Sequence, residues 1–166
     1  MDQQLSIKQI SADRLDDLEP LWKALHRHHV SVAGHLEQLA PSLSPEASWQ
    51  NRRAKYATWL ASSDAFALAV EADDELVGYA MARVKEQQPG SWERGARTGV
   101  LESLSVRADQ RGSGIGTRLF EAVRAEFVDR GAREFELAVI ATNADAIRFY
   151  TRQGLLPYVT TLVGHS

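Results

Sequence analysis

Cysteine is absent from the chain. Its absence removes disulfides, thiolate nucleophiles and cysteine-ligated zinc or iron–sulfur sites together. It also agrees with a reducing, cytoplasmic setting, which is the expected location. Long apolar runs are missing too, so no transmembrane helix and no membrane partner are expected. The opening residues, MDQQLSIKQI, lack a basic segment leading into an apolar one, so no signal peptide is expected. A strong excess of charge of either sign is lacking: the net charge is −3, which gives no electrostatic footprint for nucleic acid. Internal repeats, low-complexity tracts and linkers are not found. What remains is an ordinary globular composition, 44% hydrophobic and 25% charged over 166 residues. That length suits a single domain spanning 1–166.

The hydrophobic pattern divides this domain into strands and helices. Leu5, Ile7 and Ile10 alternate loosely with polar residues, which predicts a first strand over 4–10. Asp13 precedes an apolar stripe of Leu15, Leu18, Trp22 and Leu25 at helical spacing. Pro20, inside that stripe, predicts a kink or a second helix start. Ser44-Pro45 reads as an N-cap followed by proline in the first turn. It opens a helix carrying Trp49, Tyr56, Trp59 and Leu60, to about Ser62. Residues 65–71 and 75–85 are rich in strand formers around Asp73-Asp74, the pattern of an antiparallel hairpin. A polar loop over 87–98 holds Trp92. A strand over 99–106 follows, then a helix over 113–130 with the stripe Ile115, Leu119, Val123 and Phe127, ended by Gly131. The pattern closes with a strand over 133–140, a helix over 143–153 ended by Gly154, and a last strand or strand pair over 155–163. Pro157 biases that last segment toward a sheet edge. The order predicts an α/β domain with a mixed, mostly antiparallel sheet flanked by helices.

Between the strand at 99–106 and the helix after it lies Arg111-Gly112-Ser113-Gly114-Ile115-Gly116. Glycines let the backbone turn tightly and let a ligand approach its amides. The first turn of a helix has N–H groups without internal partners and the positive end of the dipole. Together they favour a bound phosphate, to which Arg111 adds a charge-assisted contact. A purely structural tight turn is the competing reading. Gly116 is followed by Thr117-Arg118, not by the Lys-Ser/Thr of a mononucleotide P-loop. The Gly-x-Gly-x-Gly spacing, with no acidic residue ending the next strand, also departs from a dinucleotide fold.

Leu104-Ser105-Val106, a short spacer and then Arg111 through Gly116 resemble the acyl-CoA pyrophosphate motif of the GNAT N-acyltransferase superfamily. Asn143-Ala144-Asp145-Ala146-Ile147-Arg148-Phe149-Tyr150 with Gly154 resembles that family's second motif, and Leu155 stands where phenylalanine is more usual. The two motifs occur in the family's order and structural context, so the chain is identified as similar to an acetyl-CoA-dependent N-acetyltransferase.

The resemblance implies that strands 99–106 and 133–140 run parallel and splay apart at one end. The pantetheine arm would pair there as a surrogate strand with backbone groups of Leu104 and Val106, Ser105 lying between them. The pyrophosphate would rest on N–H groups of Arg111, Gly112, Ser113, Gly114, Ile115, Gly116 and Thr117. A strand N–H near Leu104 would polarise the thioester carbonyl. Glu102 is the candidate general base. Strand alternation puts it on the same face as Leu104, and its competing role is an exposed or substrate-binding charge. Tyr150, by motif position, is the candidate acid at the coenzyme sulfur, or else a packing tyrosine. Asn143 would bond the pantetheine arm, cap the helix that follows, or do both.

His26, His28, His29 and His35 cluster without a carboxylate at ligand spacing, so no metal site is expected. The resemblance makes these histidines, with Trp49 and Tyr56, candidate acceptor contacts, against the reading that the aromatics are core. Trp92 is a candidate contact for the acceptor or a second subunit, or a lone surface aromatic. The resemblance also implies a homodimer. The leading function is acetyl transfer from acetyl-CoA to a primary amine. A non-catalytic acyl-CoA-binding or sensing module and an enzyme using a longer acyl-CoA are the alternatives.

Overall fold

In a computed structural model of the chain, residues 4–166 are described. Residues 1–3, the start of the segment read above as lacking a signal peptide, lie outside them. The hairpin forms as predicted. β1 (Leu5–Ile10) lies antiparallel to β2 (Ala65–Ala72), and β2 turns back into β3 (Glu75–Glu86) through Asp73 and Asp74. These two aspartates hold φ of 50° and 66°, the positive values that match a two-residue turn to the twist of its strands. β4 (Arg97–Val106) adds antiparallel to β3, and β5 (Glu134–Glu136) adds parallel to β4, giving the order β1-β2-β3-β4-β5.

Among the described residues four α-helices cover the sheet. A 3-10 turn over Ala12–Leu18 leads into α1 (Glu19–Val32). Pro20 therefore marks a second start, since a first-turn proline gives up no hydrogen bond. In α2 (Pro45–Leu60) the Ser44 hydroxyl oxygen accepts the Ala47 N–H at 3.2 Å, the predicted cap. α3 spans Ile115–Asp129 and α4 spans Ala144–Arg152. None of the helices among the described residues is long and apolar enough to cross a membrane.

The sheet separates two cores. On one face Phe66, Leu68, Val70, Ala80, Ala82 and Leu101 meet Ile115, Leu119, Phe120, Val123 and Phe127 of α3. α3 sits so close that a Cβ added at Gly99 would lie 2.6 Å from the Phe127 ring, which only glycine permits. On the other face Ala67, Ala69, Tyr79 and Met81 meet Leu15, Leu18, Trp22, Trp49 and Tyr56. Trp49 and Tyr56 are thus core residues.

Two expectations fail at the C-terminal side. The strand predicted over 133–140 forms only at Glu134–Glu136, and the one predicted over 155–163 does not form. Strand-forming composition needs a neighbour to pair with. β5 has one only along Thr98 to Val100, and the tail has none. Leu156, Val159 and Leu162 are left 86%, 73% and 88% exposed.

Candidate active site

β4 carries an irregularity at the centre of the site. Met81 of β3 faces Ser103 and Ala82 faces Leu101, so Glu102 is an extra residue. Such a bulge breaks the alternation of faces. Leu101 and Leu104 pack with the α3 core. Ser103 turns toward Tyr56, and Ser105 bonds the Leu21 carbonyl of α1 at 3.2 Å. Glu102 takes two contacts on Oε1, from Nε and a terminal nitrogen of Arg83, each at 2.7 Å. Arg83 in turn stacks 4.6 Å over Trp59 of α2. Glu102 therefore lies on the α1/α2 face, opposite Leu104, and the shared face expected from simple alternation is corrected by the bulge.

Beneath Glu102 lies a buried polar chain. The Tyr56 hydroxyl donates to Ser103 Oγ at 2.6 Å, and the Tyr79 hydroxyl lies 3.0 Å from it. With the Tyr56 proton on Ser103, Tyr79 is the donor of the second bond. Burial raises the pKa of both phenols, so both stay neutral. Tyr79, Ser103 and Arg83 escaped the sequence reading. Their signal was faint: a serine and an arginine at otherwise apolar strand positions.

The splay implied by the family resemblance is present. β4 and β5 pair at Thr98–Glu134, Gly99–Phe135 and Val100–Glu136 only. From Leu101 to Val106 β4 is paired on its β3 side alone. A partner strand would find open backbone groups there. Two qualifications come from the side chains. The Ser105 hydroxyl is committed to α1, and the Val106 carbonyl already accepts Arg111 Nε at 3.2 Å. Arg111 thus braces the strand end, and its two terminal nitrogens have no partner among the described residues.

Beyond Val106 the loop is held by Gly112 and Gly114, at φ of 77° and 85°. Added Cβ atoms would meet nothing at either position, so glycine is needed for conformation and not for space. Among the described residues no hydrogen bond engages the N–H groups of Gly112, Ser113, Gly114, Ile115, Gly116 and Thr117. The Arg118 N–H begins the helical ladder by bonding the Gly114 carbonyl at 3.0 Å. Six adjacent unmet donors at a helix N-terminus fit an anion such as a diphosphate.

α4 supplies the remaining side chains. Asn143 caps it, its Oδ1 accepting the Ala146 N–H at 3.3 Å. Its side-chain nitrogen has no partner among the described residues. Tyr150 is packed against Phe149 and Phe120, with ring centroids 5.1 and 5.8 Å away. Burial alone pushes its phenol up to about 12, and it keeps its proton through neutral pH.

The histidines divide. His26 Nε2 bonds the Leu43 carbonyl at 2.8 Å. His29 is half-buried, and its pKa is lowered by burial first and then by His28, His26 and Arg52. Trp92 stands away from the sheet, 70% exposed, and meets Tyr158 of the tail edge-on at 6.3 Å.

Comparison with known proteins agrees with this geometry. Residues 35–155 match the Acetyltransferase (GNAT) family, and the chain belongs to that family. A mycothiol acetyltransferase of Amycolatopsis mediterranei is 33% identical over 97 residues, which is 58% of this chain and 32% of that protein. A thialysine N-epsilon-acetyltransferase of Sus scrofa is 35% identical over 54 residues, 32% of each chain. The chain thus spans about a third of the length of these two curated relatives. An uncharacterized N-acetyltransferase of Archaeoglobus fulgidus is 34% identical over 105 residues, 60% of this chain and 67% of that one. Among solved structures, a GCN5-related N-acetyltransferase from Ralstonia eutropha JMP134 superposes with a TM-score of 0.79 at 21% identity, covering 98% of this chain and 99% of that one. The aminoglycoside N-acetyltransferase AAC(6')-Iy in complex with CoA gives 0.71 at 16% identity, covering 100% and 97%. At those identities the structures establish the fold.

Proposed function

We propose that the chain moves the acetyl group of acetyl-CoA onto a primary amine by direct attack in a ternary complex. One observation carries this reading. The free edge of β4 from Leu101 to Val106 and the unmet N–H groups from Gly112 to Thr117 lie in consecutive segments at one end of the sheet. The first suits a ligand arm that carries amides, the second a diphosphate, and coenzyme A has both in that order. Asn143 would offer its free amide nitrogen to the arm.

Two proton transfers remain. An alkylamine of pKa about 10.4 is mostly charged at neutral pH and has to lose a proton before attack. Arg83 occupies Oε1 of Glu102, leaving Oε2 to take that proton, directly or through water. Tyr150 acts on the departing sulfur. Its phenol, at about 12, is a weaker acid than a simple thiol at about 8.5. Tyr150 therefore works chiefly as a hydrogen-bond donor, and full transfer needs the thiolate to be made more basic by the same burial.

The partners in this reading are acetyl-CoA, an amine acceptor and a second copy of the chain. The last is supported by the apolar tail, which has strand-forming sequence, and by a sheet that ends at the short β5.

The deciding experiment measures melting temperature with and without acetyl-CoA, adenosine nucleotides serving as controls. At 100 times the dissociation constant the ligand adds about 2.7 kcal/mol, a rise of roughly 5–10 °C for a chain of this size. Gly114→Glu should abolish the rise, since its carboxylate would lie in the proposed diphosphate site. No rise at millimolar acetyl-CoA, or an equal rise in the variant, would remove the reading. A rise with no thiol release across an amine panel would leave a binding module.

A further inference from the structure

Most arginines of the chain meet a carboxylate, as Arg53 does on Asp16 and Arg83 on Glu102. Among the described residues, Arg27, Arg111, Arg118, Arg133 and Arg152 do not, and all five are exposed to water. Arg52 differs from both groups. It is half-buried, yet no carboxylate or carbonyl meets its guanidinium among the described residues. Its central carbon lies 4.3 Å from the Trp22 ring centroid and 5.8 Å from that of Tyr56. These aromatic faces hold the cation and strip part of its water. They leave its N–H donors, arranged as a planar fork, without acceptors from the protein among the described residues.

Tyr56 ties this position to the reacting centre. Its ring lies beside Arg52, and its hydroxyl bonds Ser103, the residue next to Glu102. Arg52 and Glu102 act in opposite directions on the Tyr56 hydroxyl, the first lowering and the second raising its pKa. The nearby His29 has a lowered pKa, so it adds no negative charge and little positive charge at neutral pH. Beside Tyr56 stand Glu102, already clamped on one oxygen, and the Arg52 guanidinium, which has no protein acceptor among the described residues.

We infer that the acceptor is an amine that also carries an anionic oxyacid group, with Glu102 facing the amine and Arg52 gripping the oxyanion. The inference rests on the acetyltransferase reading above and narrows its acceptor class. A guanidinium fork meets a carboxylate or a phosphate through two parallel hydrogen bonds. A plain alkylamine or a polycation would leave Arg52 unmet and add like charge beside it.

Paired probes test this. Lysine and cadaverine differ by one carboxylate, and O-phosphoethanolamine and ethanolamine by one phosphate. The wild-type kcat/KM should favour an acid member over its partner by about tenfold to a hundredfold, the worth of a charged hydrogen-bonded pair. The pair showing the larger ratio tells carboxylate from phosphate. Arg52→Met should bring that ratio close to one, mainly through the acceptor KM. Arg52→Lys, which keeps the charge and loses the fork, should fall between, and it serves alone should Arg52→Met fold poorly. Equal use of acid and non-acid members by the wild type, or a ratio that survives both variants, would overturn the inference while acetyl transfer stands. Calorimetric titration of the same four probes needs no turnover. Acid-selective binding that is lost in the Arg52 variants, with no thiol release, would keep the anion site and remove the acetyltransferase reading. Absence of selective binding together with absence of selective turnover would remove the site.

Discussion

β2 and β3 are paired on both sides over residues 67–72 and 78–83, and apart from Glu71 and Arg83 every residue of those stretches is buried. The chain after Val100 is built differently. β4 loses its second neighbour, β5 lasts three residues, and the tail ends in water-exposed leucine and valine. The paired half satisfies its backbone internally and is stabilised by burial. The splayed half leaves backbone donors and acceptors open, and every proposed coenzyme contact is there. This fold separates stability from chemistry by withholding strand pairing. A substitution in one half should therefore move a quantity that a substitution in the other leaves nearly still.

The largest effect is expected in the paired half. Phe66 is fully buried and meets Phe127 edge-on at 5.6 Å. Phe66→Ala should lower unfolding stability by about 3–5 kcal/mol, measured by urea denaturation. Turnover of the protein that remains folded should change by less than about threefold. A loss of turnover as large as the loss of stability would show that the two halves are not independent.

Tyr150→Phe should do the reverse. The hydroxyl has no hydrogen-bond partner among the described residues, so stability at pH 7 should move by less than about 1 kcal/mol. Turnover should fall about a hundredfold, with the KM for acetyl-CoA nearly constant. A second readout separates the hydroxyl from the ring. The folded phenol is raised from 10.0 to about 12, so the folded state holds its proton more tightly than the unfolded one. Below pH 10 both states keep the proton and stability does not depend on it; as pH rises from 10 through 12 the unfolded state ionises first and the fold loses stability. That alkaline loss amounts to about 2–3 kcal/mol. Tyr150→Phe should remove that part of the alkaline decline. Tyr56 and Tyr79, also raised by burial, would sustain the rest. Unchanged turnover would reduce Tyr150 to a packing residue.

Glu102→Gln comes next, with an expected loss of about tenfold or more in kcat/KM and a flattened acidic limb of the pH profile. Arg83 would lose its charged partner but keep its place over Trp59. The fold should therefore be little disturbed. Persistence of the acidic limb would put the base elsewhere.

How much of this the sequence disclosed follows the same division. Local rules found the hairpin through Asp73-Asp74, the proline starts of α1 and α2, the α3 stripe and the glycines at 112 and 114, because each depends on neighbours in sequence. Asn143 was legible as the cap of α4 for the same reason, while the roles proposed for it and Tyr150 at the coenzyme come from the family resemblance. The bulge at Glu102 was not, since it is a mismatch in register between β3 and β4 and exists only once they pair. That one residue reversed the face assigned to Glu102. The Tyr56–Tyr79–Ser103 chain joins α2, β3 and β4, and no periodicity within one element signals a contact among three. Residues 133–140 and 155–163 have the composition of strands, and composition cannot report whether a neighbour is present.

The smallest effect on the isolated fold is expected from ending the chain after Tyr158. Val159, Leu162 and Val163 are 73%, 88% and 64% exposed, so removing them forfeits little burial within one copy. The retained Tyr158 keeps its contacts with Trp92 and Arg94. The melting temperature of a monomer should shift by no more than about 2 °C, the scale of a few tenths of a kcal/mol for this length. Hydrodynamic size should respond more. Strand-forming residues beside an open sheet edge are a template for pairing with another chain. If the tail pairs with the sheet of a second copy, sedimentation should report a dimer for the full chain and a monomer for the shortened one. A monomer in both cases would leave the tail unpaired in solution. A dimer in both would place the contact elsewhere, with the exposed Trp92 as the next surface to test. The sedimentation result decides whether the splayed half is left open for a ligand alone or for a ligand and a second copy together.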